Sequence, residues 1–148
     1  MHIITSNKKA RHEYEIINTI EAGLVLLGTE VKALREGRAN LADAYARFRR
    51  GELWLVGSHI SPYSKSAAES HDPTRDRKLL LSKQELRKLF RQVEEKGVTL
   101  VPLKLYFKNH LAKVEIALAR GKRKYDKRAA IAEKDLKREM DRQKKVRY

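Results

Sequence analysis

Two neighbouring stretches, residues 98–107 and 111–119, alternate between apolar and polar side chains. Their apolar members are Leu103, Leu105, Phe107, Val114, Ile116 and Leu118, and their polar members include Lys104, Tyr106, Lys113 and Glu115. Successive side chains of a strand point to opposite faces, so the pattern predicts a hairpin with one buried face and one polar, basic face. Lys108-Asn109-His110 would form its turn, and Pro102 predicts a bulge or a local edge because it cannot donate to the ladder.

Other strand-like segments precede this hairpin. Residues 13–20 carry apolar and β-branched side chains typical of a strand, and the apolar run 24–27 predicts a second, buried strand after a bend or bulge at Glu21-Ala22-Gly23. Residues 44–48 and 53–56 form a predicted hairpin across the polar turn 49–52. We expect Phe48 and Trp54 from that hairpin to fill the core.

The sequence also predicts two helices. The first would be capped by the Thr29 hydroxyl and stopped by Gly37, with Val31 and Leu34 plugging one end of a barrel and Lys32 and Arg35 facing solvent or a ligand. The second has the clearest signals in the chain. Ser82 and Glu85 form a capping box, Gly97 ends the helix, and the apolar side chains fall on one face at Leu86, Leu89, Phe90 and Val93.

These elements amount to about six strands and two or three helices. The strands follow one another in hairpins, which favours a mainly antiparallel sheet closing on itself. The prediction is a mainly β fold with helices, an OB-like antiparallel barrel over residues 1–120, followed by a basic C-terminal tail at 121–148. OB-like barrels are often used to bind nucleic acid.

The charge of the chain points to a polyanionic partner. Its 34 Lys and Arg against 19 Asp and Glu give a net charge of +15 and a pI near 10.1. No run is long enough to span a membrane, the first residues do not resemble a signal peptide, and cysteine is absent. The polyanion would be nucleic acid or an anionic membrane surface, and without a spanning segment the membrane alternative is reduced to surface binding at most. We therefore expect a cytoplasmic protein that binds nucleic acid, without a membrane partner.

The tail is denser in charge than the rest of the chain. Residues 121–148 contain 12 basic and 5 acidic side chains. Gly121–Arg128 combines five cations with Tyr125, and cations beside one stacking ring suit single-stranded or irregular RNA. The alternative is a solvated basic linker. High helix propensity beyond Arg128, with only a thin apolar stripe, predicts a tail that is disordered when free and helical on its partner.

A long polar loop is predicted at residues 64–78. Its cations Arg75, Arg77 and Lys78 flank Asp76, which suits an extended segment lying on phosphates. The alternative is that these charges only keep the loop solvated.

No enzyme is predicted from the residue patterns. The five histidines have no partner at metal-ligand spacing, and the carboxylates lack the clustering that a metal-dependent nuclease needs. We expect no catalytic residues, no metal and no cofactor. A metal-dependent nuclease remains a minor alternative, because folding can bring distant residues together.

Several ordered stretches together resemble the small protein B family, the SsrA-binding proteins of bacterial trans-translation. The matches are Asn7–Tyr14, Glu21-Ala22-Gly23, Gly28–Lys32, Asp43-Ala44-Tyr45, His59–Tyr63, Asp72–Arg75, Arg77–Leu81, Lys96-Gly97, Val101–Lys104, Gly121-Lys122 and Asp126-Lys127-Arg128. They cover roughly residues 7–128 in order. Each motif is weak alone, but the ordered set is specific.

The resemblance implies an OB-like barrel that binds the tRNA-like domain of transfer-messenger RNA and delivers it, with elongation factor Tu, to stalled ribosomes. The RNA-binding positions of the family fall on Asn7, Glu21 and Leu80. Their basic neighbours are Lys8, Arg11, His12, Arg75, Arg77, Lys78 and Lys113. Leu80 has an alternative interpretation as a core residue.

The resemblance also implies a role for the tail. The tail would read the vacant decoding centre and enter the empty mRNA channel of the ribosome as a helix. Its ribosome-contacting residues would be Lys122, Arg123, Lys124, Tyr125, Asp126, Lys127 and Arg128. We expect a monomer. A ribosomal or general RNA-binding protein remains the alternative function, and it would bind many RNAs without preferring a tRNA-like fold.

Overall fold

The computed structural model describes residues 1–65 and 70–121, apart from the side chains of Glu95 and Lys96. The predictions for residues 122–148 therefore lie outside the described residues. The described part contains nine strands and three helices. In chain order they are β1 (His2–Ser6), α1 (Lys8–Glu13), β2 (Tyr14–Leu24), α2 (Gly28–Arg35), β3 (Ala39–Asn40), β4 (Tyr45–Arg49), β5 (Glu52–Val56), β6 (His59–Ile60), β7 (Arg77–Leu80), α3 (Lys83–Lys96), β8 (Thr99–Lys108) and β9 (Leu111–Gly121).

Six of the strands form a closed antiparallel ring. Their order is β8-β4-β5-β7-β2-β9, and β9 pairs again with β8 to close the barrel. β1 adds to β8, while β3 and β6 form a separate two-stranded ribbon. Closure leaves these six strands with few unpaired edges, which is how small barrels avoid edge-to-edge association. The predicted OB-like antiparallel barrel of about six strands is confirmed.

The predicted hairpin of residues 98–119 is present as β8 and β9, and its register shifts between Pro102 and Lys104. The bulge expected at Pro102 is thus confirmed. The sequence pattern placed Leu103 and Leu105 on the same buried face, and the bulge puts them on different faces. Leu105 packs in the barrel core, whereas Leu103 joins a second cluster with Val101 and Ala117, against which Ala10 of α1 is buried. A bulge changes the pleat, so an extra residue reverses which face later side chains occupy.

The helix α3 begins and ends as predicted. Ser82 Oγ accepts from the Glu85 amide at 3.1 Å, and Glu85 Oε1 accepts from the Ser82 amide at 3.0 Å. Gly97 has a φ of 64°, the left-handed conformation that favours glycine at a helix C-terminus. Leu89 is buried, and Phe90 meets Phe48 edge to face with ring centroids 5.2 Å apart.

The second buried strand predicted at 24–27 is absent. Instead β2 runs without a break through Glu21, Ala22 and Gly23 to Leu24, and its register irregularity lies earlier, between Ile16 and Asn18. Val25 and Leu27 are 43% and 48% exposed, because the chain leaves the sheet after Leu24 to begin α2. The prediction of a bend at Glu21–Gly23 is therefore also wrong.

The cap of α2 differs from the prediction. The helix begins at Gly28, so Thr29 already lies in its first turn, and Glu30 Oε1 accepts from the Leu27 amide at 2.8 Å. Thr29 Oγ1 instead lies 2.9 Å from Nδ1 of the buried His71. Leu34 is buried, and Lys32 and Arg35 are exposed, as predicted, whereas Val31 is only partly buried and does not join the core.

The predicted hairpin is present as β4 and β5, but its turn is shorter than predicted, because Arg49 and Glu52 pair within the strands. Trp54 does not fill the core. Leu53 and Leu55 point inward and are buried, so the alternation places Trp54 on the outer face of the barrel. Phe48 packs against the core as expected. Within the described residues, no helix is both long and apolar enough to cross a membrane.

Candidate nucleic-acid interface

A buried ion cluster joins α2 to the segment that precedes β7. Arg75 Nη2 lies 2.7 Å from Glu30 Oε1, and Arg77 Nη2 lies 2.8 Å from Glu30 Oε2. The side chains of Glu30 and Arg77 have no exposed surface. Arg77 Nη1 also donates to the carbonyl and the hydroxyl of Ser58, at 3.1 and 3.0 Å. These bonds fix the course of residues 72–77 against the barrel.

The charges of this cluster support one another. Burial raises the pKa of Glu30, but hydrogen bonds from Arg75 and the Leu27 amide, together with the charge of Arg77, outweigh it and leave the pKa below its ordinary value. Burial lowers the pKa of Arg77, yet a guanidinium remains protonated at neutral pH. The cluster is therefore a carboxylate held between two cations.

The cluster corrects the interpretation of residues 75–78 as one extended basic segment. Arg77 is the first residue of β7. Side chains alternate along this strand, so that of Arg77 is buried and points into the barrel, whereas that of Lys78 points outward. Arg75 keeps a 31% exposed side chain, and Lys78 lies 2.7 Å from Glu52 on the outer face. Arg77 thus holds the segment in place, while Arg75 and Lys78 remain accessible.

Asn7 is also a buried positioning residue. Its Nδ2 donates to the carbonyls of Leu41 and Pro102 at 3.0 and 2.9 Å, and its Oδ1 accepts from the Ala10 amide at 3.1 Å. These bonds use both polar atoms of the side chain, which is 4% exposed, and they cap α1. The exposed side chains of α1 include Lys8, Arg11 and His12, which Asn7 therefore orients.

Glu21 lies at the centre of an outer surface formed by β2, β8 and β9. The Tyr106 hydroxyl donates to Glu21 Oε2 at 2.5 Å, and Lys108 Nζ lies 3.6 Å from Glu21 Oε1. Lys104 Nζ lies 5.7 Å from the centre of the Tyr106 ring. A carboxylate on a basic surface is thereby fixed in orientation by one neutral donor and one cation.

This arrangement keeps Glu21 ionised. The hydrogen bond from Tyr106 lowers the pKa of Glu21, and the charge of Lys108 adds to that effect. Burial raises the pKa of Tyr106, and the nearby carboxylate raises it further, so the phenol remains a donor. The side chain of Glu21 is 37% exposed and therefore available to a ligand as well.

Leu80 and Lys113 complete the same surface. Gly23 of β2 pairs with Leu80 of β7 on one side and with Lys113 of β9 on the other. A Cβ built at Gly23 would lie 3.3 Å from Leu80 Cβ and 3.8 Å from Lys113 Nζ, so the glycine allows a close approach. Leu80 is 50% exposed, which excludes its alternative interpretation as a core residue. We call Glu21, Leu80, Lys113 and Tyr106 the strand face.

Glu115 connects the strand face to α1. On β9 it pairs with Glu21 of β2 and Lys104 of β8, and its Oε1 lies 3.6 Å from Arg11 Nη2. The fold therefore brings the predicted residues of α1, β2, β7 and β9 onto adjoining surfaces. Sequence reasoning missed Tyr106, Lys108 and Glu115 as members. The cross-strand register of the predicted hairpin was the signal that would have found them.

The described residues offer no metal centre: among them, no three His, Asp or Glu side chains are grouped to hold an ion. The surface instead combines exposed cations with the ionised carboxylate of Glu21 and the exposed apolar side chain of Leu80. Cations neutralise phosphates, and a fixed carboxylate accepts hydrogen bonds from base amino groups or ribose hydroxyls. This chemistry suits RNA.

Comparison with known proteins gives a consistent result. The family model described as "SmpB protein" matches residues 4–146. An "SsrA-binding protein" of Thermosynechococcus vestitus is 56% identical, covering 98% of this chain and 96% of that protein. Another of the same name from Syntrophobacter fumaroxidans is 55% identical, covering 98% and 90%.

A solved structure also matches. It is described as "tmRNA-SmpB: a journey to the center of the bacterial ribosome", and one of its chains superposes with a TM-score of 0.69 at 51% identity, covering 86% of this chain and 93% of that one. The family resemblance that the ordered motifs predicted is confirmed over nearly the whole chain. This protein is a member of the SmpB family.

Proposed function

We propose that this protein binds the tRNA-like domain of transfer-messenger RNA, the SsrA RNA, and brings it to stalled ribosomes in trans-translation. Its relatives are named SsrA-binding proteins, and the matching solved structure concerns tmRNA and SmpB on the bacterial ribosome. The observation that carries the proposal is the convergence of Glu21, Leu80 and Lys113, from three different strands, on one exposed face.

Each member of the strand face has a part in RNA recognition. Lys113 neutralises a backbone phosphate, and the exposed methyl groups of Leu80 pack against a ribose or a base edge. Glu21 accepts from a base amino group or a 2′-hydroxyl, and Tyr106 holds the carboxylate in the orientation that this needs. Such contacts select a shape of RNA, whereas phosphate contacts alone do not.

The surrounding residues add affinity and position. Lys8, Arg11 and His12 are exposed on α1, and Arg75 and Lys78 are accessible beside β7. We assign to these five side chains the contacts to phosphates. Asn7 and Arg77 are positioning residues, because both are buried and hydrogen-bonded.

We assign the ribosome contacts to the tail. Residues 1–120 would form the RNA-binding unit, and residues 121–148 would read the vacant decoding centre and mRNA channel. Lys122, Arg123, Lys124, Lys127 and Arg128 would neutralise ribosomal RNA, with Asp126 among them and Tyr125 stacking on a base. We further propose a cytoplasmic monomer that meets elongation factor Tu through the RNA and acts by binding, without catalysis.

A competition titration tests the proposal. Labelled tRNA-like domain is bound to the full-length protein at physiological salt and challenged with excess bulk tRNA and with a generic duplex. We expect the complex to resist both competitors, because recognition by shape adds to the electrostatic affinity that all RNAs share. Equal displacement by every competitor would replace the proposal with general RNA binding.

A pair of glycine variants locates the binding surface. In Gly23→Ala the new methyl group lies 3.3 Å from Leu80 Cβ and displaces that side chain, so we expect the RNA affinity to fall by roughly threefold or more relative to the wild type. The loss of stability should be small, since Leu80 is exposed and can shift. Gly28→Ala is the matched control, because nothing lies within 4 Å of its added Cβ. Equal affinities for the two variants would remove the strand face from the RNA interface.

A further inference from the structure

A second aromatic and basic surface lies on the outside of the barrel, away from Glu21. Trp54 of β5 pairs with Arg47 of β4 on one side and with Lys78 of β7 on the other. All three side chains point outward, because their neighbours along each strand are buried or, in the case of Phe48, pack against the core. An indole between two cations on a sheet surface is the arrangement that single-stranded nucleic acid uses for stacking and phosphate neutralisation.

Arg49 lies over the indole of Trp54. Its Cζ lies 4.5 Å from the centre of the Trp54 ring, and its Nη1 donates to Asp76 Oδ2 at 3.1 Å. The side chain of Arg49 is nevertheless 38% exposed. A guanidinium that is fixed by a ring and a carboxylate loses little further freedom when a planar base stacks on it.

An open depression lies beside these groups. A hollow of about 420 Å³ is lined by Arg49, Arg50, Glu52 and Trp54. Glu52 and Asp76 are engaged by Lys78 and Arg49 respectively. Arg47 and Arg50 make no ion pair with any acidic side chain in the part of the chain that the structure describes. The hollow is thus a basic site.

The hollow is continuous with the strand face. Lys78 and Leu80 both point outward from β7, two residues apart, and they pair with Trp54 and Gly23 respectively. Trp54 on β5 and Lys113 on β9 are separated by three strand spacings, about 15 Å across the sheet, and by two residues, about 7 Å, along the strands. One RNA can therefore reach both surfaces with neighbouring nucleotides.

We propose that Arg49 and Trp54 form a stacking site for an unpaired base of the bound RNA, with Arg47 and Arg50 binding the flanking phosphates. The base stacks on the guanidinium of Arg49, which continues the stack onto the indole. This inference rests on the proposed RNA-binding function and extends it to a surface that the strand face does not include.

The intrinsic fluorescence of the protein tests this directly, because Trp54 is its only tryptophan. The full-length protein is titrated with the tRNA-like domain at physiological salt, and binding is followed in parallel by the anisotropy of labelled RNA. We expect Trp54 fluorescence to change saturably with the same midpoint as the anisotropy. Unchanged emission while RNA binds would overturn the stacking site.

Charge-conserving variants separate stacking from general electrostatics. Arg49→Lys keeps the charge and loses the planar group, so we expect about fivefold to tenfold weaker binding of the same RNA. Arg120→Lys on β9 is the matched control and should bind like the wild type. Circular dichroism confirms that each variant is folded. An Arg49→Lys variant that binds like the control would also overturn the inference.

The two proposals fail in different ways. Saturable quenching of Trp54 by every RNA with equal affinity would support the stacking site and contradict selective binding of transfer-messenger RNA. Selective binding with unchanged Trp54 emission would support the proposed function and contradict the stacking site. Failure to bind any RNA would contradict both.

Discussion

The guanidinium of Arg77 lies 2.8 Å from the carboxylate of Glu30, and neither side chain has any exposed surface. The two residues stand 47 positions apart in the chain. Their pairing attaches the start of β7 to α2, and Arg75 adds a second cation to the same carboxylate. The accessible side chains of Arg75 and Lys78 are therefore presented from a segment fixed by a buried ion cluster.

The first prediction concerns the stability that Glu30 provides. Glu30→Ala removes the carboxylate and leaves the buried Arg77 without its ionic partner, which we expect to lower the unfolding free energy by about 3–5 kcal/mol. Urea denaturation measures the change. Glu36→Ala is the control, since Glu36 is exposed at the end of the same helix, and it should cost less than about 1 kcal/mol. Similar losses for the two variants would mean that the cluster adds little stability.

The second prediction is the pH dependence of that stability. The pKa of Glu30 in the folded protein lies below its ordinary value, so the folded state binds fewer protons there than the unfolded chain as the solution becomes acidic. The stabilisation is complete above the unfolded pKa of about 4.3 and is lost as the pH falls through the folded pKa. As the pH falls below about 4.3, the unfolding free energy of the wild type should therefore decrease more steeply than that of Glu30→Gln.

Denaturation at several pH values measures the two profiles. Glu30→Gln is the appropriate comparison because it keeps the size of the side chain and cannot ionise. It starts from a lower stability at neutral pH, and the difference from the wild type should narrow in acid. Parallel profiles would show that another carboxylate, such as Glu21, dominates the acid response.

The third prediction concerns the orientation of Glu21. Tyr106→Phe removes the donor to the carboxylate while keeping the buried ring, so we expect a loss of about 1–2 kcal/mol in stability. We also expect roughly fivefold weaker binding of the tRNA-like domain, because Glu21 is no longer held for its hydrogen bond. Tyr45→Phe, on an exposed tyrosine of β4, is the control. Unchanged RNA affinity in Tyr106→Phe would show that the orientation of Glu21 is unimportant for binding.

The fourth prediction separates the barrel from the tail. Gly121 is the last residue of β9 and pairs with Tyr14, so a truncation that preserves the barrel removes only residues 122–148. We expect RNA binding to stay within about threefold of the wild type and rescue of stalled ribosomes to be abolished, since the strand face lies within the barrel and we assign ribosome contacts to the tail. Affinity for the tRNA-like domain and peptide release from stalled ribosomes measure the two effects.

A point variant sharpens this experiment. Tyr125→Ala in the full-length chain retains every charge of the tail and removes only the ring that we expect to stack. Reduced rescue with unchanged RNA affinity would agree with the division of roles. Loss of most RNA affinity on truncation would instead mean that the tail belongs to the RNA-binding surface.

Local sequence signals were sufficient where the structure depends on near neighbours. The capping box of Ser82 and Glu85 and the left-handed Gly97 set the ends of α3, and the bulge in β8 directly follows Pro102, which has no donor for the ladder. These features require only residues close in the chain. The alternation in β8 and β9 likewise predicted their pairing.

Signals of the same kind failed where distant segments compete for a residue. Thr29 has the side chain of a helix cap, but Glu30 takes that role and the Thr29 hydroxyl pairs with His71 instead. Trp54 has the size and hydrophobicity of a core residue, yet the pleat of β5 gives the interior to Leu53 and Leu55. Which face is the interior depends on the closed ring, and not on the strand alone.

The sequence by itself determined the fold class, the family and the chemical character of the partner, because hydrophobic alternation, ordered motifs and net charge are all properties of the linear chain. Only the tertiary structure decided which of the predicted site residues are buried and which are exposed. It buried Asn7 and Arg77, exposed Leu80 and joined Glu21 to Tyr106 across 85 positions of sequence. The physical reason is that burial and ion pairing depend on which strands become neighbours when the barrel closes, and periodicity within one strand carries no information about that.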